Sequence, residues 1–438
     1  MFPRFTQRVN EKPEDGGRFE SSGHRNETPG PHEPFNPSAA PSRRSLRGLD
    51  WFVFFIADVQ TGFGPFVAVY LTTQKWTQID IGLVLSVAGL VALFGQVPGG
   101  ALVDAARSER RVAGIAIVAI SIAALTYAAW PIFPAILSAA VLHAGASTVL
   151  GPAIIAISLG LVGHAAIGDR LGRNARFASI GNGIAAAAMG ACGYFFSARA
   201  VFIVTAVLLV PTLLALRQIS DSEINPERAH GGTPKRTNKT AVPFRDLLRQ
   251  RMLLTLACCV ALFHLANASM LPLMGTVLTA RSSQWATALI AACIVVPQLV
   301  VAAIAPWVGH QSQIWGRRPL LIMGFAALPI RGLLFATVTN PYALVAVQVL
   351  DGISAAALGV MVPLIVADIT RGTGRFNSAQ GIVGMVMGVG ASFSQTLAGY
   401  VAYHYGHRAA FLGLAAIATV ALIATVALLS ETRSRDDA

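Results

Sequence analysis

Three strongly ionised side chains lie deep inside long apolar stretches of this chain: Asp58, Arg331 and Asp351. A charge near the centre of a lipid bilayer costs roughly 2.5–3.5 kcal/mol or more, so each is expected to face a polar cavity or a partner. A buried carboxyl group can also carry a proton, because burial favours its neutral form. These residue types therefore indicate proton binding and charge pairing within a membrane.

Asp58 lies about ten residues into its apolar stretch, which is roughly 15 Å deep at the rise of an α-helix. Gln60 and a run of Thr, Gly and Pro residues follow it, and polar or helix-loosening residues suit the wall of a cavity. We predict that Asp58 carries a proton and that Gln60 lines the cavity. The alternative is that Asp58 hydrogen-bonds to a neighbouring helix and never titrates.

Arg331 and Asp351 stand on either side of a short Asn340-Pro341 turn. Two antiparallel helices joined there would place both charges at nearly the same depth, roughly 12–14 Å from the surface. An ion pair between them is therefore expected. It is either a static brace, as many buried pairs are, or a switch that responds to a proton or a substrate.

Four other polar side chains within apolar stretches are candidates for proton coupling or for the cavity wall: His143, His264, Asn267 and Gln348. Histidine titrates near neutral pH, so His143 could take part in proton transfer. A single intramembrane histidine is as often a neutral hydrogen-bonding partner, and polar packing contacts would explain the other three equally well.

The elements that must position these residues are membrane helices. Of the 438 residues, 54% are hydrophobic and only 12% are charged, which is not the composition of a soluble protein. Stretches of about 20 apolar residues are long enough to cross a bilayer as helices. The sequence predicts an all-α membrane protein with twelve spans, at 49–71, 79–103, 112–131, 133–161, 177–196, 199–217, 252–278, 284–307, 319–339, 343–366, 378–403 and 409–429.

The net charge of +12 is distributed unevenly. Threading twelve spans puts 28 of the 33 Lys and Arg residues on one side and four on the other, with Arg331 inside a span. By the positive-inside rule, both termini are expected to be cytoplasmic and the chain to be a multi-pass protein of the inner (plasma) membrane. The basic charge is thus a signal of topology, and no nucleic acid is expected as a partner.

The two halves of the chain repeat short phrases. Val141-Leu142-His143 returns as Val349-Leu350-Asp351, and Arg110-Arg111 returns as Arg317-Arg318. Two related halves around a central site suit alternating access, because one half can rock against the other. The predicted organisation is a disordered cytoplasmic tail (1–48), a six-helix half (49–217), a linker (218–251), a second six-helix half (252–430) and a short tail (431–438).

No metal-ligand spacing, phosphate loop or nucleophile constellation is visible, so neither an enzyme nor an ATP-driven pump is expected. The four cysteines, Cys192, Cys258, Cys259 and Cys293, lie in apolar spans and are expected to be packing residues. No cofactor and no metal are predicted, and the proton gradient is the expected source of energy.

Two loops resemble the signature loop of the major facilitator superfamily, which has a glycine, an aspartate and then basic residues. The first copy has Gly100 and Asp104 followed by Arg110 and Arg111, with Ala105 where a basic residue is expected. The second copy comprises Gly309, Gln313, Gly316, Arg317 and Arg318, with Gln313 in the place of an aspartate. The resemblance covers roughly residues 49–430.

The resemblance implies a fold of twelve helices in two pseudo-symmetric halves and a gate at the cytoplasmic face. Glycine allows close helix approach, and Asp104 is expected to pair with arginines across that face in a latch that breaks for inward opening. Within the superfamily, first-span acids such as Asp58 often carry the proton in drug/proton antiporters. Ala140 stands where the fourth-span motif of proton-coupled members has an arginine, and the fifth-span antiporter motif is not matched at 188–193.

We therefore expect a secondary transporter working by a rocker switch, with proton-coupled export of a small, amphipathic organic molecule as the first hypothesis. Proton-coupled uptake of a sugar, a nucleoside or another nutrient is the second hypothesis. A non-transporting membrane sensor or scaffold is the remote third. The expected partners are the small-molecule substrate and membrane lipid, and the protein is expected to be monomeric.

Overall fold

Long apolar helices separated by short connections make up the computed structural model, which describes residues 40–61, 64–232, 242–281 and 286–433. Within those ranges there is no strand. The helices are α1 (Arg43–Thr61), α2 (Gly64–Thr73), α3 (Gln78–Asp104), α4 (Glu109–Ala129), α5 (Phe133–Phe195), α6 (Ala198–Val207), α7 (Leu209–Arg217), α8 (Pro226–Ala229), α9 (Phe244–Leu247), α10 (Arg251–Asn267), α11 (Met270–Arg281), α12 (Ala286–Trp315), α13 (Arg318–Thr337), α14 (Pro341–Val347), α15 (Val349–Ile369) and α16 (Phe376–Leu428).

Twelve membrane-crossing segments can be assigned along these helices. Among the described residues, nine helical stretches are long and apolar enough to cross a membrane. Two of them contain a non-helical glycine, Gly163 in α5 (φ 71°) and Gly406 in α16 (φ 83°), and dividing the helices there gives eleven segments. The pair α1 and α2 provides the twelfth. The predicted twelve-helix fold is confirmed.

One connection between helices differs from the prediction. The loop expected between the fourth and fifth spans, residues 162–176, is helical apart from the kink at Gly163. A glycine is needed there because a side chain at positive φ is strained. The chain therefore turns back through one residue, and the fifth segment begins near His164 instead of at 177.

The first helix begins earlier than expected. Residues 43–48, predicted to belong to the disordered tail, form the first turns of α1. The hydroxyl of Ser42 accepts the backbone N–H of Ser45, and the Ser45 hydroxyl accepts the N–H of Ser220 after α7. Contact with the end of the sixth segment thus orders this part of the chain. Residues 1–39 of the predicted tail lie outside the described residues.

Two hydrophobic cores fill the bundle. One is built from residues between Leu49 and Ala229. The other is built mainly from residues between Leu247 and Leu429, with Leu159, Ile167 and Leu171 of α5 joining it. The described part of the chain belongs to one compact unit, Phe35–Ala438. The fifth segment is thus an element of the first half that packs on the second.

Candidate functional site

Arg331 and Asp351 form an ion pair inside the second half. Arg331 on α13 donates through Nη1 to Oδ1 of Asp351 on α15, and to Oδ1 of Asn267 on α10 at 2.9 Å. The Arg331 side chain is 1% exposed, and that of Asp351 is 22% exposed. The ion pair expected from their equal depth is therefore confirmed. Asn267, predicted as a cavity residue, is in addition a direct partner of Arg331.

A cavity of about 370 Å³ lies beside this pair. Its wall contains three predicted residues, His264, Asn267 and Asp351, so the structure brings these together. Most of the wall comes from α10, α15 and α16, and most of it is apolar. The remaining lining residues are Ile155, Phe263, Ser354, Ala355, Leu358, Gly359, Val362, Pro363, Gln380 and Met387.

The polar groups of the wall differ in what they can offer to a ligand. Nδ1 of His264 lies 3.0 Å from the carbonyl oxygen of Val260. Because a carbonyl can only accept, Nδ1 carries the hydrogen, and Nε2 of the neutral ring is an acceptor. Ser354 donates its hydroxyl to the carbonyl of Gly324 at 2.7 Å. The wall therefore combines a carboxylate, an imidazole acceptor and the amide of Asn267.

Sequence reasoning missed Gln380 as a lining residue. It is a polar residue within the apolar 378–403 stretch, and this is the signal that could have found it. Its position one turn into α16 was visible only after the helix had been placed. Met387, two turns further, gave no signal because it is apolar.

Other predicted residues lie elsewhere. Gln348 is fully buried at the junction of α14 and α15 and does not belong to the wall of this cavity, so the packing alternative describes it here. It lies next to Cys293 instead. His143 is partly buried on α5 and does not belong to the wall of this cavity. Asp58 and Gln60 fall on α1, but their side chains lie outside the described part of the structure.

Asp104 does not pair with arginine but caps a helix of the other half. Its Oδ1 accepts the backbone N–H and the side-chain amide of Asn377, both at 3.0 Å. Its Oδ2 accepts the N–H and the hydroxyl of Ser378, at 2.7 and 2.6 Å. A carboxylate satisfies the unpaired N–H groups of a helix N-terminus and interacts well with the helix dipole. The expected pairing of Asp104 with arginines is therefore wrong, and Asp104 instead links the first half to the start of α16.

Glycines permit this closure in both copies of the motif. A Cβ on Gly100 of α3 would overlap the carbonyl oxygen of Asn377 on α16. In the second copy, a Cβ on Gly309 of α12 would overlap the carbonyl oxygen of Gly168 on α5. The contacts α3–α16 and α12–α5 therefore hold the two halves together at one end of the bundle. We call this end, which carries the α3–α4 and α12–α13 connections, the basic face.

The arginines of the motif bind within their own halves, which corrects the expected pairing across the face. Arg110 Nη2 lies 2.6 Å from Asp221 just after α7, and Nη1 donates to the Ile219 carbonyl. Buried Arg317 pairs through Nε with Asp368 of α15 at 3.0 Å. Across the halves, it is Asp104 that bonds to the start of α16.

The rest of the motif also stays local. Arg111 is exposed, and its backbone N–H donates to the capping hydroxyl of Ser108. Arg318 Nη2 donates to the carbonyl of Val426 at 2.6 Å. Gln313 accepts only a long 3.5 Å bond from Arg317, so it does not reproduce the cap that Asp104 makes.

Glu431, after α16, ties down the second copy of the motif. Its carboxylate accepts the backbone N–H of Arg317 and Arg318 at 2.9 and 3.0 Å and lies against Gly316, whose φ is 90°. Burial acts to raise the pKa of Glu431, but backbone N–H donors, from Arg317, Arg433, Arg318 and Thr432, outweigh it and hold the pKa below its ordinary value. Its charged form therefore stabilises the start of α13.

A second buried charge cluster was not foreseen. Asp50 of α1 contacts two arginines on α5 beyond the kink. Its Oδ1 lies 2.5 Å from Nη2 of Arg170, and its Oδ2 lies 2.6 Å from Nη2 of Arg173. Arg170 also donates to Asn174 at 2.8 Å, and Asn174 donates to the hydroxyl of Ser158. Asp50 stands at the edge of its predicted span and Arg170 in a predicted loop. Both were therefore expected to be surface residues.

These features can be compared with known proteins. The family model for the Major Facilitator Superfamily matches residues 51–305 and 256–438. The chain belongs to this family of membrane transporters and is not an enzyme.

Relatives and solved structures agree with that assignment. Two uncharacterized MFS-type transporters of Mycobacterium tuberculosis, MT2531 of strain CDC 1551 and Rv2456c of strain H37Rv, are each 38% identical over 399 residues, covering 90% of this chain and 95% of the relative. The human organic anion transporter MFSD10 (TM-score 0.68, 15% identity) covers 88% of this chain and 100% of its own. The match to the proton:xylose symporter XylE (TM-score 0.66, 14% identity) covers 89% of this chain and 96% of XylE. At these identities the two structures show the fold alone.

Proposed function

We propose that this chain exports a small, amphipathic organic molecule by rocker-switch alternating access, driven by proton entry. The observation that carries the proposal is the charge cluster at the cavity wall. Asp351 is partly exposed to the cavity, whereas its partner Arg331 is fully buried behind it. The Asp351 carboxylate is open to a proton from the cavity, whereas the Arg331 cation is closed to water. Protonating Asp351 would therefore change how well the charge of Arg331 is compensated.

Protonation would bias the conformation through Arg331. A proton on Asp351 removes the negative charge and leaves the guanidinium with the Asn267 carbonyl as its remaining acceptor in this cluster. A buried cation without a counter-ion is costly, so the protonated protein favours a state in which Arg331 gains water or an acceptor on the substrate. A proton then shifts the balance between the two access states by its different affinity for them.

The mostly apolar wall supports an amphipathic substrate. The few polar groups, on His264, Asn267 and Asp351, would orient its polar end. Asp58 on α1 is a second candidate proton carrier. We further propose that the basic face is cytoplasmic, that the protein lies in the inner membrane as a monomer, and that it uses the proton gradient without a cofactor.

The test uses purified protein in liposomes with an imposed proton gradient and a pH-sensitive dye inside. A panel of lipophilic compounds and common nutrients is added to the wild type, to Asp351→Asn and to Asp58→Asn. The control is Asp80→Asn, because Asp80 is partly exposed at the start of α3, away from the cavity, and its carboxylate accepts a bond from the Thr77 hydroxyl. We expect compound-dependent proton movement in the wild type and the control, and its loss in Asp351→Asn.

Each result decides between hypotheses. Normal proton movement in Asp351→Asn would make the ion pair a static brace, and loss only in Asp58→Asn would move the proton site to α1. Proton movement with nutrients and in the same direction as the solute would support uptake, which the polar groups of His264, Asn267 and Gln380 could serve by binding hydroxyls. Flux of any compound excludes the non-transporting sensor.

A further inference from the structure

The linker between the halves touches both of them at the basic face. Its first part is fixed to the first half, where the N–H of Asn225 donates to the carbonyl of Gly160 at 3.1 Å. Ile224 packs at Gly160, where a Cβ would overlap its side chain. Ile224 and Ala229 are fully or almost fully buried in the core of the first half. This segment, residues 224–231, is therefore anchored to the first half.

The end of the same segment contacts the start of α16. The carbonyl of His230 accepts the N–H of Phe376 at 3.3 Å, and the carbonyl of Ala229 accepts the side-chain amide of Asn377 at 3.3 Å. Gly231 accepts the N–H of Gly372 in the connection before α16. The linker thus binds the second half beside Asp104, and Asn377 is a partner of both.

The first turn of α16 is capped entirely by groups from elsewhere in the chain. The N–H of Phe376 is taken by the linker, and those of Asn377 and Ser378 are taken by Asp104. If α16 moved away from α3 and the linker, all three N–H groups would lose their partners. Closure of the basic face therefore depends on the linker as well as on the aspartate.

Two features hold the linker in this position. Glu109 is buried in the first turn of α4, and its Oε1 lies 2.9 Å from Nε2 of His230, a close polar contact between α4 and the linker. Gly231 has a φ of 78°, and a Cβ on it would press on the Thr370 carbonyl and on Phe376. Neither residue contacts the cavity.

We infer that linker residues 224–231 are a component of the gate at the basic face, which Glu109 and Gly231 position against α16. They stay with the first half and release α16 when that face opens. This inference rests on the alternating-access function proposed above. It adds Glu109, His230 and Gly231 as positioning residues to the gate formed by Asp104 and the glycines.

The test measures the gate directly and needs no substrate. Spin labels are placed on Arg107→Cys and Arg371→Cys, two exposed positions in the α3–α4 and α15–α16 connections, in a chain whose four cysteines are replaced by alanine. Pulsed electron paramagnetic resonance on the full chain in lipid nanodiscs gives the distribution of distances between the halves. We expect a main short distance in the otherwise wild-type protein.

Glu109→Ala and Gly231→Ala are expected to raise the longer-distance population several-fold, and Glu109→Gln to restore most of the short distance. The control is Glu223→Ala, because Glu223 accepts the Ser42 N–H within the first half and has no bond to α16. Unchanged distances in both test variants, with normal elution of folded protein, would overturn the inference. An equal shift in the control would show general loosening and would overturn it too. The liposome assay fails or succeeds independently, since it reports proton coupling.

Discussion

Arg331 illustrates how much of a residue's surroundings can be predicted from its place in the sequence. Its depth, the short turn and the matching depth of Asp351 were enough to predict the ion pair, because helix geometry converts residue number into height. The third member, Asn267, could not be paired with it from sequence, since α10 is distant in the chain and its rotation about its own axis is set by packing. The depth of a residue along its helix can thus be predicted from the sequence more reliably than the direction in which its side chain points.

Asp50 shows the opposite case. Its side chain is 3% exposed, as buried as a core residue, although it stands at the end of an apolar stretch where water is expected. The helical extension beyond Gly163 brings Arg170 and Arg173 over it. That extension was predicted to be a loop, so the cluster had no visible partner in the sequence.

The two arginines on Asp50 allow a matched prediction. The Arg170 side chain is 4% exposed and that of Arg173 is 55% exposed. Removing a buried partner costs about 3 kcal/mol, whereas a cation that stays largely in water contributes roughly 0–1 kcal/mol, and of the two arginines only Arg170 is buried. Arg170→Ala should therefore unfold at a clearly lower temperature than Arg173→Ala, which should stay near the wild type. Thermal unfolding in one detergent measures both, and equal losses would mean that burial does not set the strength of this cluster.

At the scale of elements, the gate depends on helices that approach through glycine. The motif itself was visible in the sequence, but the partner of Asp104 was predicted wrongly. An acid next to arginines suggests a salt bridge, while the N-terminus of α16 becomes a competitor only after the two halves are assembled. Backbone N–H groups leave no mark in a sequence, and this is why the cap was missed.

Gly100→Ala tests that close approach. The added methyl group would meet the Asn377 carbonyl, so α3 and α16 must separate and the basic face should open. The same spin-label pair, on Arg107→Cys and Arg371→Cys, should show a larger share of long distances. Gly151→Ala is the matched control, because nothing lies within 4 Å of a Cβ at that helical position. A short distance retained in Gly100→Ala would mean that the helices can shift sideways without opening the face.

For the whole molecule, the sequence repeat predicted the symmetry of the gate. The α3–α16 contact joins the second segment to the eleventh, and the α12–α5 contact joins the eighth to the fifth, so each copy of the motif serves one of two related interfaces. The substitution of Gln313 for an acid makes the two interfaces unequal. The linker is the other asymmetric part, since it lies beside the interface that Asp104 caps.

The distribution of charge over the whole molecule predicts its orientation in the membrane. Of the 33 basic residues, 28 fall on the side of the basic face when twelve segments are threaded, and positive residues are retained on the cytoplasmic side. The orientation can be measured at two exposed positions, one before α3 and one after it. Gln74 lies before the helix, and Arg107 lies after it.

Single cysteines at these positions, Gln74→Cys and Arg107→Cys, can be labelled with a membrane-impermeant maleimide in the background without native cysteines. In intact cells we expect label on Gln74→Cys only, and in everted vesicles on Arg107→Cys only. Label on both from the same side would mean that α3 does not cross the membrane. The reverse pattern would place the basic face outside, and a closed basic face would then leave the cavity reachable from the cytoplasm instead. The proposed direction of proton movement would then be reversed, because Asp351 would receive its proton from the other compartment.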